Sequence, residues 1–168
     1  MMTDKMFEPE ITAFYCIYCG YMAADTAGVL EIQYPANVKF VRMPCSGKTD
    51  VRYLLEAFEQ GADGVYVVAC PIGNCHHVRG NERGWARLNR AKKILDDIGI
   101  GGNRLDIFFM SGSQALAFAN AARTMTERIR ALGPNPLNAK DEGRFARRKD
   151  EDEEEVDFRG RHISAPKK

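Results

Sequence analysis

The sequence predicts an α/β protein: a small four-stranded parallel sheet with helices on both faces, flavodoxin-like in its strand order of 2-1-3-4. Two observations carry this. Four short apolar runs are separated, in the later part of the chain, by stretches with helical spacing. Strands alternating with helices imply a parallel sheet covered on both sides.

The expected strands are Ile11–Tyr15, Val38–Met43, Gly64–Ala69 and Arg104–Met110, all read as buried. Residues Tyr21–Leu30 read as a short, Ala-rich helix interrupted at Gly28. Val51, Leu54, Leu55 and Phe58 recur at helical spacing and stop at Gly61. Trp85, Leu88, Leu95 and Ile98 form a second stripe that ends at Gly99 and places Trp85 in the core. Phe118, Ala122, Met125, Ile129 and Leu132 form a third, with Ser111 or Ser113 as N-cap and Gly133-Pro134 as the stop.

The chain divides into an N-terminal extension (1–9), one α/β domain (10–136) and a charged tail (137–168). The tail holds nine positive and nine negative side chains and few large apolar ones. Such a composition cannot bury enough surface to fold alone, so the tail reads as solvated or as a segment that orders on a partner.

The whole chain carries 24 Lys+Arg against 23 Asp+Glu. That balance does not suggest nucleic acid, for which one basic face would be expected. The first residues lack the layout of a signal peptide, and the longest apolar run, Val65 to Ala69, is too short to span a bilayer. A cytoplasmic, soluble protein is expected. In a reducing compartment, and with an odd count of five cysteines, a structural disulfide set is not expected.

The cysteines have a pattern. Cys16 and Cys19 follow the first expected strand, Cys45 follows the second, and Cys70 and Cys75 follow the third. Parallel strands put those ends on one carboxyl edge, where open α/β sheets build their sites. Thiolates are soft, anionic ligands that suit zinc or an iron–sulfur cluster. Cys16-Ile17-Tyr18-Cys19 can chelate, and Gly20, Gly47 and Gly73 offer bare N–H groups to cluster sulfurs. Pro44 and Pro71 stiffen the loops beside Cys45 and Cys70. An iron–sulfur site is therefore the first expectation. A zinc-stabilised interaction module, a C-x-x-C dithiol oxidoreductase and inert core thiols are its rivals.

Several motif echoes fail. Ser46-Gly47-Lys48-Thr49 lacks the leading glycine of a phosphate loop, since Arg42 holds that place. The gap from Cys45 to Arg52 is one residue too long for a cysteine phosphatase, and Cys19 is followed by Gly20 rather than the histidine of c-type haem. No G-x-G-x-x-G follows a strand. His76 is expected to donate to a cluster sulfur, or else to be an ordinary loop histidine. Arg79, read as part of the same loop with Gly80 and Asn81, can offset thiolate charge or face water.

Six blocks in order carry a resemblance: Cys16-x-x-Cys19-x-Tyr21; Ala24-Asp25-x-Ala27-Gly28; Cys45-Ser46-Gly47; Ala57-Phe58-x-x-Gly61-Ala62-Asp63-Gly64-Val65; Cys70-x-x-Gly73-x-Cys75-His76; and Gly80-Asn81. Over roughly residues 10–132 the chain resembles the delta subunit family of methyl-viologen-reducing hydrogenase. The resemblance implies a 2Fe–2S cluster held by four of Cys16, Cys19, Cys45, Cys70 and Cys75. It implies an electron-transfer subunit without a substrate of its own, set between two partners. One is a hydrogenase, formate dehydrogenase or other dehydrogenase module. The other is a flavin-containing, heterodisulfide reductase A-like subunit. His77 departs from the pattern, where the residue after His76 is usually aromatic, and the tail from Lys140 onward lies outside it.

Overall fold

The computed structural model describes residues 7–138; residues 1–6 and nearly all of the expected charged tail lie outside the described residues. The sheet has four strands, β1 (Ile11–Cys16), β2 (Val38–Met43), β3 (Gly64–Ala69) and β4 (Leu105–Phe109), in the order β2-β1-β3-β4. Every pairing is parallel, with Ile11 opposite Val38 and Gly64, and Val65 opposite Leu105. This is the expected 2-1-3-4 order, compatible with a flavodoxin-like arrangement.

Burial follows position in the sheet. Central β3 is buried along its whole length, which is why it reads as a continuous Val-rich run. The expectation of four buried strands fails at the edges. In β2 only Val38 and Met43 are buried, and Lys39, Phe40, Val41 and Arg42 are exposed. An edge strand has a neighbour on one side only, and charged side chains along it discourage further pairing. In β4 only Leu105 is buried.

Four helices cover the sheet. Helices α1 (Cys19–Val29) and α4 (Ala115–Leu132) share one face with Ile11, Ala13, Tyr15, Tyr66 and Val68. Helices α2 (Val51–Glu59) and α3 (Gly80–Asp97) share the other with Phe14, Met43, Val65 and Val67. Strand alternation thus divides the apolar side chains between two cores.

Three helix expectations are corrected. Helix α1 is not interrupted at Gly28 but runs on to Val29, and Leu30 closes it by donating to Thr26 O. Helix α4 is not capped by Ser111 or Ser113. Gln114 holds the N-cap position, and its Oε1 accepts the Ser111 N–H at 2.7 Å, while the two serine hydroxyls bond each other. Helix α3 begins at Gly80, so Gly80 and Asn81 are helical rather than loop residues. Its buried stripe is Asn81, Gly84, Leu88, Ala91 and Leu95, and Trp85 is 49% exposed instead of lying in the core.

A buried polar knot closes the far end of the sheet. The Arg104 guanidinium donates to the carbonyls of Ile100, Asp63, Gly133, Leu132 and Pro134, so it caps the end of α4. Asn135 donates to Phe58 O and Ala62 O, and its backbone N–H reaches Asp63 Oδ1 at 2.8 Å. Leu137 packs against the α2/α3 core and Asn138 donates to Gly61 O.

Candidate metal centre

All five cysteines lie at the carboxyl edge. Cys16 is the last residue of β1 and Cys19 the first of α1. Cys45 stands between β2 and a short 3₁₀ turn (Ser46–Lys48), Cys70 directly follows β3, and Cys75 lies in the loop before α3. All five are free thiols; Cys16, Cys45 and Cys70 are buried, and Cys19 and Cys75 are half-buried.

Their sulfurs come together across elements. Cys16 Sγ and Cys70 Sγ are 3.9 Å apart, each from a central strand of the sheet. Cys45 Sγ and Cys75 Sγ both lie beside the α-carbon of Gly80. Among the described residues, no three His, Cys, Asp or Glu side chains stand together at the spacing of a single ion. The arrangement is one of neighbouring sulfur pairs.

Backbone N–H groups point at these sulfurs. The Gly47 N–H donates to Cys45 Sγ at 3.4 Å. The N–H groups of His77, Gly80 and Asn81 serve Cys75, and that of His76 serves Cys70. Burial pushes the Cys75 thiol up, but these three donors outweigh it and hold the thiol below its ordinary value. Burial pushes the Cys70 and Cys45 thiols up, and their single N–H donors do not reverse it.

The first turn of α3 supplies much of this frame. A β-carbon at Gly80 would stand 2.3 Å from Cys45 Sγ and 3.3 Å from Cys75 Sγ, so a side chain there would displace the Cys45 sulfur. One turn on, a β-carbon at Gly84 would stand 2.7 Å from Ser46 O. The 3₁₀ turn and α3 therefore meet backbone to backbone, and Arg87 ties them by donating to Gly47 O. Asn81 is fully buried; its Nδ2 donates to Cys70 O at 3.0 Å and to Pro71 O at 2.8 Å. It clamps the β3 end to the start of α3.

The two remaining candidates, His76 and Arg79, lie at the rim. The His76 ring stacks on Tyr18 with ring centroids 3.8 Å apart, and its backbone N–H serves Cys70. Arg79 Nε bonds Glu82 Oε2 at 2.7 Å on the surface. Sequence reasoning missed Gly84 and Arg87, and it named Gly80 and Asn81 without their roles. The signals for them were the adjacency of Gly80-Asn81 to the Cys75 loop and their place among the blocks that carry the family resemblance.

A donor set of thiols with N–H groups aimed at the sulfurs fits a soft metal or an iron–sulfur cluster. Among the described residues no helix is long and apolar enough to cross a membrane.

Comparison with known proteins agrees. The F420-non-reducing hydrogenase vhu iron-sulfur subunit of Methanocaldococcus jannaschii is 50% identical over 132 residues, 79% of this chain and 98% of that protein. Its namesake from Methanococcus maripaludis is 48% identical over 134 residues, 80% of this chain and all of that protein. The ferredoxin/F(420)H(2)-dependent CoB-CoM heterodisulfide reductase of Methanosarcina acetivorans has an A-type subunit, of which a stretch making up 16% is also similar. That stretch is 33% identical over 126 residues, 75% of this chain. Residues 11–133 match the family described as methyl-viologen-reducing hydrogenase, delta subunit, and the chain belongs to that family.

Proposed function

We propose that this chain is an electron-transfer subunit carrying a 2Fe–2S cluster. In this reading it relays electrons between a hydrogenase module and a flavin-containing, heterodisulfide reductase A-like subunit, in the cytoplasm. The observation that carries the reading is the convergence of five free thiols from three strand ends onto one sheet edge. Four thiolates complete a 2Fe–2S cluster, which takes up and returns one electron. The chain's own part is to hold that group at an edge that partners can approach, and to set its potential through N–H donors to the sulfurs.

The partners are argued from relatives. Two are named as iron-sulfur subunits of a hydrogenase. In another, a stretch similar to this chain is part of the longer A-type subunit of a heterodisulfide reductase. A sequence found within that larger polypeptide in one organism, and making up nearly the whole of the two hydrogenase subunits in others, supports contact between the two kinds of partner.

Anaerobic purification of the full chain tests the reading. Iron and acid-labile sulfide are each expected at about two per chain, as a 2Fe–2S site requires. Mass spectrometry of the co-purifying proteins should find a hydrogenase and a heterodisulfide reductase A-like subunit. Stoichiometric zinc without sulfide would overturn the cluster.

A further inference from the structure

We infer that the open groove between edge strand β2 and helix α2 is the docking site of this chain's own charged tail, with Phe145 as the side chain that fills it.

The groove follows from the topology. Helix α2 carries the chain from β2 across β1 to β3, so β2 has no helix of its own on that face. Val41 stands opposite Phe14 in the pairing register, and both point to the α2 side. On the reverse face Phe40 has Tyr15, Tyr34 and Phe118 for neighbours. Val41 lacks such cover and is 40% exposed, and Tyr53, on α2 across the gap, is 48% exposed. Phe14, Val41, Met43, Tyr53 and Ala57 line a cavity of about 490 Å³. That volume is large enough to seat an aromatic side chain.

The backbone is led to the mouth of this groove. Gly133, at φ 76°, turns the chain out of α4. Asn135 is fully buried and donates to Phe58 O and Ala62 O. Asn138 donates to Gly61 O at 3.0 Å. The neighbours of Gly61 on either side, Gln60 and Ala62, line the groove. The route thus turns away from β4, where a fifth strand of a flavodoxin-like sheet would add, and toward α2. Residue 139 starts at the groove's mouth.

Phe145 is the first large apolar side chain after that point, seven residues beyond Asn138. At about 3.3 Å per residue, seven residues reach about 23 Å. Strand β2, with six residues, is about 20 Å long, so Phe145 can reach any part of the groove. A short tether holds it there at an effective concentration on the order of millimolar. A contact too weak to join separate chains then forms within one.

Charge runs in matching order. From the mouth along β2, the rim carries Glu10 and Glu56 first and Arg42 last. Lys39 and Arg52 pair with the two glutamates on the surface, where such pairs are weak and exchangeable. The tail carries Arg144, Arg147, Arg148 and Lys149 around Phe145, and then the acidic run 150–155. A segment that enters at the mouth and follows β2 sets its basic residues over the glutamates and its acidic ones toward Arg42. Val156 and Phe158 follow the acidic run, so seating them instead would set like charge against Glu10 and Glu56.

The test places the photoreactive p-benzoylphenylalanine at position 145 of the full chain. Isotopically heavy and light protein are mixed, irradiated, digested and read by mass spectrometry. Cross-links from position 145 to Val41, Met43 or Tyr53, within one isotope, are expected. Val41→Lys and Tyr53→Lys put charge into the groove at exposed positions on two different elements. Each should lower the yield several-fold while circular dichroism stays that of wild type. Cross-links that join the two isotopes would make a second copy the occupant, and cross-links to a co-purifying protein would make it a partner; either overturns the proposal. It is overturned as well by a probe at position 145 that labels no groove residue, by a yield that both lysine variants leave unchanged, or by a probe at position 158 that labels the groove more strongly.

Discussion

Gly80 and Cys45 are in such close contact that a β-carbon on the glycine would lie 2.3 Å from the sulfur. Two effects oppose each other at Gly80→Ala. Alanine favours a helix by about 1 kcal/mol over glycine in a helix interior, and less at a first turn. The added methyl group overfills the space, and such overpacking costs about 1–3 kcal/mol. The sulfur is one rotatable bond from its backbone, so it can swing away and spare the fold. The expected result is a chain whose stability lies within about 2 kcal/mol of wild type, by urea titration, but that retains far less iron. Wild-type iron content in that variant would show that the sulfur does not need its present position.

Gly80 also explains where the sequence was readable and where it was not. Central β3 was legible because burial on both faces demands an unbroken apolar run. The parallel sheet and its single carboxyl edge followed from alternation and from the rules of parallel connection, and the 2-1-3-4 order was the preferred arrangement of four such strands. Cysteines at strand ends were legible because topology alone brings them together. The face of α3 was not. Where a helix meets a 3₁₀ turn backbone to backbone, it needs Gly84 and a buried polar Asn81, and neither registers as apolar. Trp85, the large apolar neighbour, dominates the pattern but faces out. The same limit applies to the cap of α4, where Gln114 reaches back to the Ser111 N–H and displaces the two serines that local preference favours. The exposed middle of β2 was missed because being at an edge is a property of the sheet, not of the run Val-Lys-Phe-Val-Arg-Met.

The thiols should differ in reactivity in protein stripped of metal. Cys75 is half-buried, and three backbone donors hold its thiol below the ordinary value against the effect of burial. Cys70 is sealed, and burial raises its thiol. The thiolate is the nucleophile, so exposure and a lowered thiol act in the same direction. Brief treatment with iodoacetamide near neutral pH, followed by peptide mass spectrometry, is expected to label Cys75 well before Cys70. Labelling of Cys70 first would contradict the N–H frame around Cys75.

Asn81 is the clamp between β3 and α3. Its replacement by alanine removes two bonds, to Cys70 O and Pro71 O, and the contact from its Oδ1 to the Glu82 N–H. Each net bond contributes about 1 kcal/mol, and buried carbonyls left without a partner cost more. A loss of about 2–4 kcal/mol in chemical denaturation is therefore expected. Asn81→Asp should be nearly as damaging, because a carboxylate cannot donate to those carbonyls and would be buried with its charge.

Asp106 gives the fold a pH dependence with a definite sign. It bonds Arg128 Nη1 at 2.6 Å and Lys92 Nζ at 3.3 Å, and accepts the Ile107 N–H at 2.9 Å. Burial pushes its carboxyl up, but these partners outweigh burial and hold it below the ordinary carboxylate value. A group depressed in the folded state contributes stability above its unfolded value of about 3.9, and that contribution is lost as pH falls through the folded value. Arg128 and Lys92 are about one-third exposed, so solvent screening limits the contribution to about 1 kcal/mol. Asp106→Asn is then expected to destabilise the chain by about that amount at pH 7. The difference should begin to shrink below about pH 4 and close as pH falls through the lower folded value, where wild type carries a protonated carboxyl at the same place. Urea titrations of both proteins across pH 3 to 7 measure it. A gap that persists undiminished at the acid end would mean that Asp106 acts by packing or neutral hydrogen bonding rather than by charge.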